Sequence, residues 1–290
     1  MLDFESLVRA AETLDPVPTS VTQLVRIISN DDWAFRDVEA VISLDPALTG
    51  RVLQVANSAA SATLMPIGTV KDAVIRIGIG PVVSFAMAWS IGPRLRRALP
   101  EYGLSEGQLW KHSVATALAA EVVAAMTPVD VPPDAVTAGL LHDVGKIVLA
   151  RFLTPPLLER LAAAREHGDT TSMQAEADVL GVQHGQLGGV IARQWNLPER
   201  LAEGISHHHS PDRVADVLCD VVHVANIAAR HVAGPDFALP GDATPAPGTM
   251  SRLRLEPHDI DRLCSHVARR LDEVHARYSA IADRPTRRPA

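Results

Sequence analysis

The sequence has few of the features that typify secreted or membrane-spanning proteins. Its two cysteines, Cys219 and Cys264, allow at most one disulfide and are expected to be core thiols. The most apolar window, residues 82–92, is far shorter than the ~20 residues that a membrane-spanning helix needs. The first residues carry acids where a secretion signal carries basic residues. These features predict a cytoplasmic protein that does not enter a membrane.

Aromatic residues and an excess of basic charge are also scarce. Only 4% of the residues are aromatic, whereas 47% are hydrophobic, and alanine, leucine and valine recur in nearly every segment. This composition predicts close-packed helices with small side chains at their contacts. The formal net charge is −7, which argues against a basic face for binding nucleic acid. Proteins or small molecules are therefore the expected partners.

Apolar residues recur at intervals of three and four along most of the chain, which predicts an all-α fold. Asp45 followed by Pro46 is a typical helix start. Two strongly helical segments, 105–126 and 134–152, are joined by a proline-containing loop that cannot continue either helix, which predicts a helical hairpin. Further helices are predicted over 155–166, 173–180, 184–195, 198–207 and 215–232.

Proline-rich transitions divide the chain. The predicted domains are an N-terminal helical lobe (1–100), a second helical lobe (101–234), a linker (235–250) and a C-terminal helix with a tail (251–290). The C-terminal segment is amphipathic, which predicts that it packs back onto the body or pairs with another molecule. Packing back is favoured because isolated helices are marginally stable. Its apolar side carries Ile260, Leu263, Val267, Leu271 and Val274.

Histidines are absent from the first hundred residues, so metal or acid–base chemistry is expected in the second half. The sharpest feature there is the His142-Asp143 pair inside an apolar segment. Such a pair is costly to bury unless it is hydrogen-bonded or binds a metal, and its donor atoms suit iron, manganese or zinc. Lys146, one helical turn later, can point to the same site and balance a phosphate. Gly145 allows a neighbouring helix or ligand to approach closely.

Four other histidines are candidate ligands. His112 lies in the preceding helix, where a hairpin would bring it against His142, and His184 begins a later helix. His208 and His209 belong to a triple histidine at a helix end. Structural alternatives stay open: His142-Asp143 as a structural pair, His112 as a core residue, His184 as a cap, and the triple as a solvated helix end. Structural or surface roles are expected for His167, His223, His231, His258 and His266.

The order of these motifs resembles the HDOD branch of the HD superfamily, the HD-related output domains of bacterial signalling, over roughly residues 14–234. In the first half the resemblance rests on Asp45-Pro46-Ala47-Leu48, Ala56-Asn57-Ser58, and Ala73-Val74 before Ile77-Gly78. In the second half it rests on His112-Ser113, the segment 139–146, His184, Trp195 with Leu197-Pro198, His208-His209 and Ala225-Asn226.

The resemblance implies two packed helical lobes, the second an HD-like helical bundle, and a regulatory or scaffolding role. His112, His142 and Asp143 match ligand positions of the HD phosphohydrolases. His184, His208 and His209 match positions where relatives with several metal ions carry further ligands. The implied cofactor is a divalent metal, namely iron, manganese or zinc, or none at all.

One position departs from the enzyme pattern. Asn226 stands where the HD enzymes carry an aspartate, and a neutral amide oxygen binds a cation more weakly than a carboxylate. Asp220 lies too far round the predicted helix to replace it. The Gly-Tyr-Pro sequence of the related phosphodiesterases is also missing after His209, where Ser210 and Pro211 follow.

Three functional hypotheses follow. The first is a noncatalytic signalling module that binds a signalling protein or a small ligand, such as a nucleotide, between its lobes. The second is a metal-dependent phosphohydrolase or cyclic-nucleotide phosphodiesterase in which Lys146 stabilises developing charge. The third is a metal or redox sensor. Asn226 favours the first hypothesis, although the sequence alone leaves the question of enzymatic activity open.

Overall fold

The computed structural model describes residues 1–57, 67–166, 172–233 and 244–282, and it confirms the all-α prediction. In these residues the chain forms helices joined by short loops, without a β-strand; an isolated β-bridge joins Leu99 and Leu104. Ser58, His167, most of the predicted linker and the C-terminal tail lie outside the described residues.

The N-terminal half begins with a series of short amphipathic helices and ends in a longer, almost wholly apolar one. Asp45 caps the fourth helix by accepting a hydrogen bond from the backbone N–H of Leu48 at 3.0 Å, with Pro46 in the first turn, as predicted. The helices are α1 (Phe4–Glu12), α2 (Thr19–Ile28), α3 (Phe35–Ser43), α4 (Pro46–Ala56), α5 (Val70–Ile77) and α6 (Ile79–Leu95).

The second half is a helical bundle that follows a short 3-10 turn, Pro100–Tyr102. Helices α7 and α8 form the predicted hairpin, and both pack against α14. The helices are α7 (Gln108–Met126), α8 (Ala135–Leu141), α9 (Gly145–Leu149), α10 (Pro155–Glu166), α11 (Ser172–Leu180), α12 (His184–Gln194), α13 (Glu199–His207), α14 (Val217–Ala233), α15 (Pro247–Leu253) and α16 (Pro257–Ala282).

The prediction of one continuous helix over 134–152 is wrong. The helix ends at Leu141, and a tight turn over residues 142–144 separates it from α9. Backbone hydrogen bonds in this turn join residues three apart, from Val144 to Leu141 at 2.9 Å and from Lys146 to Asp143 at 3.0 Å. This is the spacing of a 3-10 turn and not of an α-helix. The side chains of His142 and Asp143 are both buried, with 0% and 1% of their surface exposed.

Two glycines let the helices around this turn approach backbone to backbone. A Cβ atom at Gly145 would overlap the carbonyl oxygen of His184, so α9 and α12 meet without a side chain between them. A Cβ atom at Gly189 would overlap the hydroxyl of Ser206 in α13. The expectation that Gly145 permits a close approach is confirmed, and the approaching group is the backbone of a candidate ligand residue.

The C-terminal helix packs back onto the body, which is the favoured alternative of the sequence analysis. Helix α16 contacts α7 and α14, and it buries Leu263, Val267 and Leu271 while Ile260 is half-buried. The side chain of Val274 lies outside the described residues. Helix α1 packs against α9 and α12, so the N-terminus also braces the second half of the chain.

A buried ion pair ties α15 to α14. Asp220 is fully buried and accepts hydrogen bonds from Arg252 Nε at 2.7 Å, Arg252 Nη2 at 2.7 Å and the Thr249 hydroxyl at 2.7 Å. Because its carboxylate is committed to these groups, Asp220 does not replace Asn226 at the histidine cluster. The expectation that it is placed too far round the helix is confirmed.

Candidate metal centre

The structure brings all six predicted ligand residues into one buried cluster. His112 comes from α7, His142 and Asp143 from the turn between α8 and α9, and His184 from the first residue of α12. His208 and His209 follow the last residue of α13. The ligand atoms form two groups: His112 with His142 and Asp143, and His184 with His208 and His209. Each group supplies three donors within 4.8 Å of one another.

The first group has the spacing of ligands around a single ion. His112 Nε2 lies 3.1 Å from His142 Nε2, and Asp143 Oδ2 lies 3.5 Å and 3.4 Å from these two nitrogens. Atoms that share an ion at ~2.1 Å are separated by about 3.0 Å at right angles and about 3.4 Å in a tetrahedral arrangement. The separations of the three donors are compatible with their sharing one ion.

The second group is joined to the first through Asp143. Asp143 Oδ1 lies 2.9 Å from His184 Nε2, while Oδ2 faces the first group. The ring of His208 lies 4.0 Å from that of His209 and 4.9 Å from that of His142, measured between centroids. Asp143 therefore has one oxygen directed at each group, and the two groups form a continuous cluster.

Hydrogen bonds at the outer nitrogens fix how the imidazoles present their lone pairs. His142 Nδ1 lies 2.7 Å from the carbonyl of Gly139, and His208 Nδ1 lies 2.7 Å from the carbonyl of Ile205. A carbonyl oxygen can only accept, so each Nδ1 carries the proton and each Nε2 keeps a lone pair directed into the cluster. This arrangement of outer hydrogen bonds is typical of metal-binding histidines.

Glu176 accepts a hydrogen bond from the outer ring nitrogen of His184 in the same way. The sequence analysis did not identify this residue. Its buried carboxylate accepts from the backbone N–H of His184 at 2.8 Å and from His184 Nδ1 at 2.9 Å. The Tyr102 hydroxyl donates to the same carboxylate at 3.2 Å. The one signal in the sequence was an acid between two alanines, Ala175 and Ala177, in α11.

Lys146 points toward the cluster, as predicted. Its ammonium group donates to Asp143 Oδ2 at 2.7 Å, and its side chain is 11% exposed. The pKa of Asp143 is held well below its ordinary value: burial alone would raise it, but His142, Lys146 and His184 together outweigh that effect. Asp143 is therefore a carboxylate at neutral pH, with Lys146 compensating its charge.

Three of the histidines are kept neutral by burial, whereas at His184 burial is outweighed by the carboxylates of Glu176 and Asp143, which raise its pKa. Burial lowers the pKa of His112 and His208 well below the ordinary value, and the neighbouring His142 adds to both shifts. Burial and the adjacent His208 do the same for His209. Neutral imidazole is the form that binds a metal, so these three side chains do not have to lose a proton before binding.

Asn226, which the resemblance matches to an aspartate of the HD enzymes, lies on α14. On α14, residues 223, 226 and 230 share one face, and His223 Nδ1 lies 2.7 Å from the carbonyl of His208. Asn226 is 2% exposed, and its amide oxygen has no hydrogen-bond partner within the described part of the chain. The expected structural role of His223 fits its contact with the ligand-bearing loop.

Some donor atoms of the cluster fit a cation. His184 Nε2 and Asp143 Oδ1 lie 2.9 Å apart, a contact that either a proton on His184 or a metal ion can bridge. His208 Nε2 and His209 Nε2 have no hydrogen-bond partner among the described residues. The donor set of imidazole nitrogens and a carboxylate is compatible with a divalent metal.

Most of this cluster is buried. His112, His142, Asp143, His184 and His208 are each at most 2% exposed. Lys146 and His209 are partly exposed, and they mark the edge nearest to solvent. A cavity of about 540 Å³ lies elsewhere, between the two halves of the chain, and none of the cluster residues is among those that line it.

Fold and site together define an all-helical protein with a histidine–aspartate cluster of the HD type. The HDOD domain pattern matches residues 14–211, and the chain belongs to the HDOD family. Asn226 lies beyond the matched range. The resemblance inferred from the sequence motifs is thereby confirmed.

Similar proteins have been found in several bacteria. An uncharacterised protein of Treponema pallidum (strain Nichols) is 26% identical over 233 residues, which make up 79% of this chain and 44% of the relative. A solved structure from Marinobacter aquaeolei VT8, provisionally named a signal transduction protein, has a TM-score of 0.69 at 22% identity and covers 95% of this chain and 60% of its own. The chain thus spans less than two thirds of either relative.

Two further solved structures are similar over nearly their whole length. An HDOD domain protein of unknown function from Geobacter sulfurreducens has a TM-score of 0.61 at 22% identity, covering 93% of this chain and 99% of its own. A protein from Shewanella amazonensis SB2B, provisionally named a phosphohydrolase, has a TM-score of 0.59 at 22% identity, covering 94% and 95%. At such identities the likeness establishes the shared fold.

No single helix in the described ranges is both long and apolar enough to cross a bilayer. Helices α5 and α6 meet the length and composition test when taken together, but they are bent by 104° where they join.

Proposed function

We propose that this chain is a signal-transduction module that acts by binding and not by catalysis. The main support for this proposal is that the histidine–aspartate cluster and the cavity are separate. The histidine–aspartate cluster is buried, whereas the large accessible cavity lies between the two halves of the chain and is lined by other residues. Hydrolysis would need the cluster to open onto a substrate cavity, and a binding module does not.

The helices around the cavity link it to the cluster. Val114 and Leu118 of α7 line the cavity, and the same helix carries His112. Leu140 of α8 also lines it and lies two residues before His142. A ligand that changes the packing of these helices would therefore act on the cluster as well, and occupation of the cluster would act on the ligand site.

We also propose that the protein is cytoplasmic and that its partners are signalling proteins. The acidic net charge of −7 supports protein partners in preference to nucleic acid. A divalent iron, manganese or zinc ion held by His112, His142 and Asp143 would join α7 to the turn between α8 and α9 and stabilise the fold that binds the partner.

A second candidate, a metal-dependent phosphohydrolase or cyclic-nucleotide phosphodiesterase, is favoured by the ligand spacing of the first group. A divalent ion bound there would supply Lewis-acid chemistry toward a phosphoester. Lys146 would hold Asp143 in place through their 2.7 Å contact and could meet the charge of a phosphate at the partly exposed edge. Asn226 weakens this candidate because it removes a negative charge from the ligand set.

Turnover by the purified protein distinguishes the two candidates. The wild-type chain, loaded in turn with Fe²⁺, Mn²⁺ and Zn²⁺ and verified by elemental analysis, is assayed against phosphomonoesters, phosphodiesters and cyclic nucleotides. Asp143→Asn is the matched variant because it keeps the size of the side chain. We expect the wild type and Asp143→Asn to be equally inactive. Metal-dependent turnover that the variant loses would establish the phosphohydrolase and refute the binding module.

A further inference from the structure

The segment that contains α15 lies directly on the loop that carries two of the candidate ligands. We call residues 208–212 the ligand loop and residues 246–253 the clasp. Helix α15 packs against α14 and against the 3-10 turn Pro211–Arg213. A Cβ atom at Gly248 would overlap the carboxylate of Asp212, so the backbone of the clasp lies against that side chain.

His223 joins the clasp to the ligand loop through both nitrogens of its ring. Its Nδ1 lies 2.7 Å from the carbonyl oxygen of His208, and its Nε2 lies 3.1 Å from the backbone nitrogen of Ala246. A carbonyl can only accept a hydrogen bond and a backbone N–H can only donate one, so the imidazole carries its proton on Nδ1. Each bond requires the tautomer that the other fixes, and hydrogen bonds in such a chain strengthen one another.

Arg252 makes a second connection, at the other end of the clasp. Its Nη2 donates to Asp212 Oδ1 at 2.8 Å and to Asp220 Oδ1 at 2.7 Å. Its Nε donates to the second oxygen of Asp220 at 2.7 Å. The clasp is therefore tied to the ligand loop at two points, one near each end of that loop.

The clasp has the properties of an element that is ordered only while it is seated. Helix α15 has seven residues, too few to be stable in water without contacts to the rest of the chain. Arg254 follows it with a φ of 52°, a left-handed conformation that residues with a side chain rarely adopt. The contacts with α14 and the ligand loop offset both costs, so their loss would release the clasp as a unit.

We infer that seating of the clasp is coupled to metal occupancy of the cluster through His223. His208 is fixed more firmly when its Nε2 holds an ion, and its carbonyl then fixes the ring of His223, which accepts from Ala246. Such a coupling is reciprocal, so the seated clasp strengthens metal binding by the factor by which metal favours seating. This inference rests on the proposed function and names the segment through which a metal regulates the module.

Hydrogen–deuterium exchange of the full chain, read by mass spectrometry, tests the inference. The chain is treated with a chelator and then loaded in turn with Fe²⁺, Mn²⁺ and Zn²⁺, and elemental analysis gives its metal content. We expect a retained ion to slow exchange of the clasp amides about tenfold more than that of the amides of α3, in the N-terminal half. Equal slowing in both segments would reflect global stabilisation and would overturn the inference.

Ala246→Pro tests the relay by removing a single N–H. Ala246 has a φ of −58° and a ψ of 136° and precedes Pro247, so proline fits its backbone while a ring carbon replaces the hydrogen that points to His223. We expect this variant to lose the extra slowing of the clasp and to bind the ion about tenfold more weakly. Ala246→Ser keeps the N–H and should match the wild type in both measurements.

His223→Asn separates the two bonds of the relay. Asparagine can place an N–H₂ group near the position of Nδ1, but it has no atom at the position of Nε2. This variant should keep the contact with the His208 carbonyl, hold metal at saturation and lose the extra slowing of the clasp. Circular dichroism checks that both variants keep their fold. Undiminished extra slowing in Ala246→Pro and His223→Asn would overturn the inference.

Further outcomes separate this inference from the proposed function. A chain that holds metal without selective slowing of the clasp, and that turns over no phosphoester, would overturn the coupling and leave the binding module standing. A chain that holds none of the three ions would overturn the coupling together with the metal centre. Metal-dependent turnover would refute the binding module, whatever the exchange rates show.

Discussion

The carboxylate of Glu176 accepts two hydrogen bonds from His184, one from the backbone N–H at 2.8 Å and one from the ring Nδ1 at 2.9 Å. These contacts fix both the position of the residue and the orientation of its ring. The other ring nitrogen, Nε2, then faces Asp143 Oδ1 at 2.9 Å. A carboxylate behind a histidine raises its basicity as a ligand, and loss of such a partner commonly lowers metal affinity by about 10–100-fold.

Replacing Glu176 should therefore weaken metal binding without removing any ligand. In Glu176→Gln, one end of the side chain becomes an N–H₂ donor, which cannot accept from His184. We expect metal affinity to fall by about 10–100-fold, measured by competition with a chelator of known affinity. Glu106→Gln, at an exposed glutamate, is the control and should match the wild type. Identical affinities for both variants would mean that His184 takes no part in binding.

The cluster itself should make thermal stability depend on metal. An ion that binds the folded state alone at about 1,000 times its Kd stabilises that state by about 4 kcal/mol, which raises the Tm by several degrees. We expect Zn²⁺ or Mn²⁺ to raise the Tm of the wild type and to leave that of His142→Ala unchanged, as measured by calorimetry.

The control for this experiment is His231→Ala. His231 lies on α14 and bonds through its ring to the carbonyl of Ile227, away from the candidate ligands. It should keep the full response to metal. Asp143→Asn serves as a second test variant if His142→Ala is poorly folded. A wild-type chain that gains no stability and retains no metal in elemental analysis would contradict the site.

The sequence could predict most of this cluster because its members are of conspicuous residue types. His142 and Asp143 stand out in an apolar segment, and the hairpin placed His112 opposite them. The turn at 142–144 could not be predicted, because the apolar periodicity continues through it. Glu176 escaped notice because its contact with His184 depends on how the loop after α11 folds.

The cavity between the two halves of the chain was expected only as a space between lobes. Its two halves come from α6 and α7, whose sequences are apolar on nearly every face and carry no strong amphipathic signal. The exposure of Trp89 and the stacking of Arg96 on Trp110 result from how these helices are placed against each other. Such a placement is set by tertiary packing, which the periodicity of a single helix does not encode.

Gly145 should be intolerant of even one added carbon. Because a Cβ atom would overlap the His184 carbonyl, Gly145→Ala must push α9 away from α12 or distort the turn that carries Asp143. We expect a loss of about 2–4 kcal/mol in the free energy of unfolding, measured by urea denaturation.

A glycine in an open helical position gives the opposite expectation. Gly50 lies in α4 and is exposed, and a Cβ atom added there would meet no neighbouring helix or side chain within 4 Å. Gly50→Ala should stabilise the chain by about 0.5–1 kcal/mol, because alanine loses less backbone entropy in a helix. A Gly145→Ala variant as stable as the wild type would show that α9 and α12 do not meet at this point.

Asp134 gives the chain a pH dependence that is separate from the metal cluster. It is 1% exposed and accepts a hydrogen bond from the Ser29 hydroxyl at 2.5 Å, which joins α2 to the start of α8. Burial raises the pKa of Asp134 above its ordinary value of 3.8, although the Ser29 bond opposes the shift. The folded state therefore holds this proton at pH values where the unfolded state has released it.

The sign of the effect follows from that difference in proton binding. The stabilising contribution of protonated Asp134 is fully present below pH 3.8 and is lost as the pH rises through the raised pKa of the folded state. Asp134→Asn removes this dependence while it can keep the bond from Ser29. From about pH 4 to about pH 7, the variant should gain stability relative to the wild type, as measured by urea denaturation at each pH. The control is Asp130→Asn, at an exposed position in the same connection, and its stability should vary with pH in parallel with that of the wild type. If the stability of Asp134→Asn also varied in parallel with that of the wild type, the carboxyl group of Asp134 would titrate alike in the folded and unfolded states.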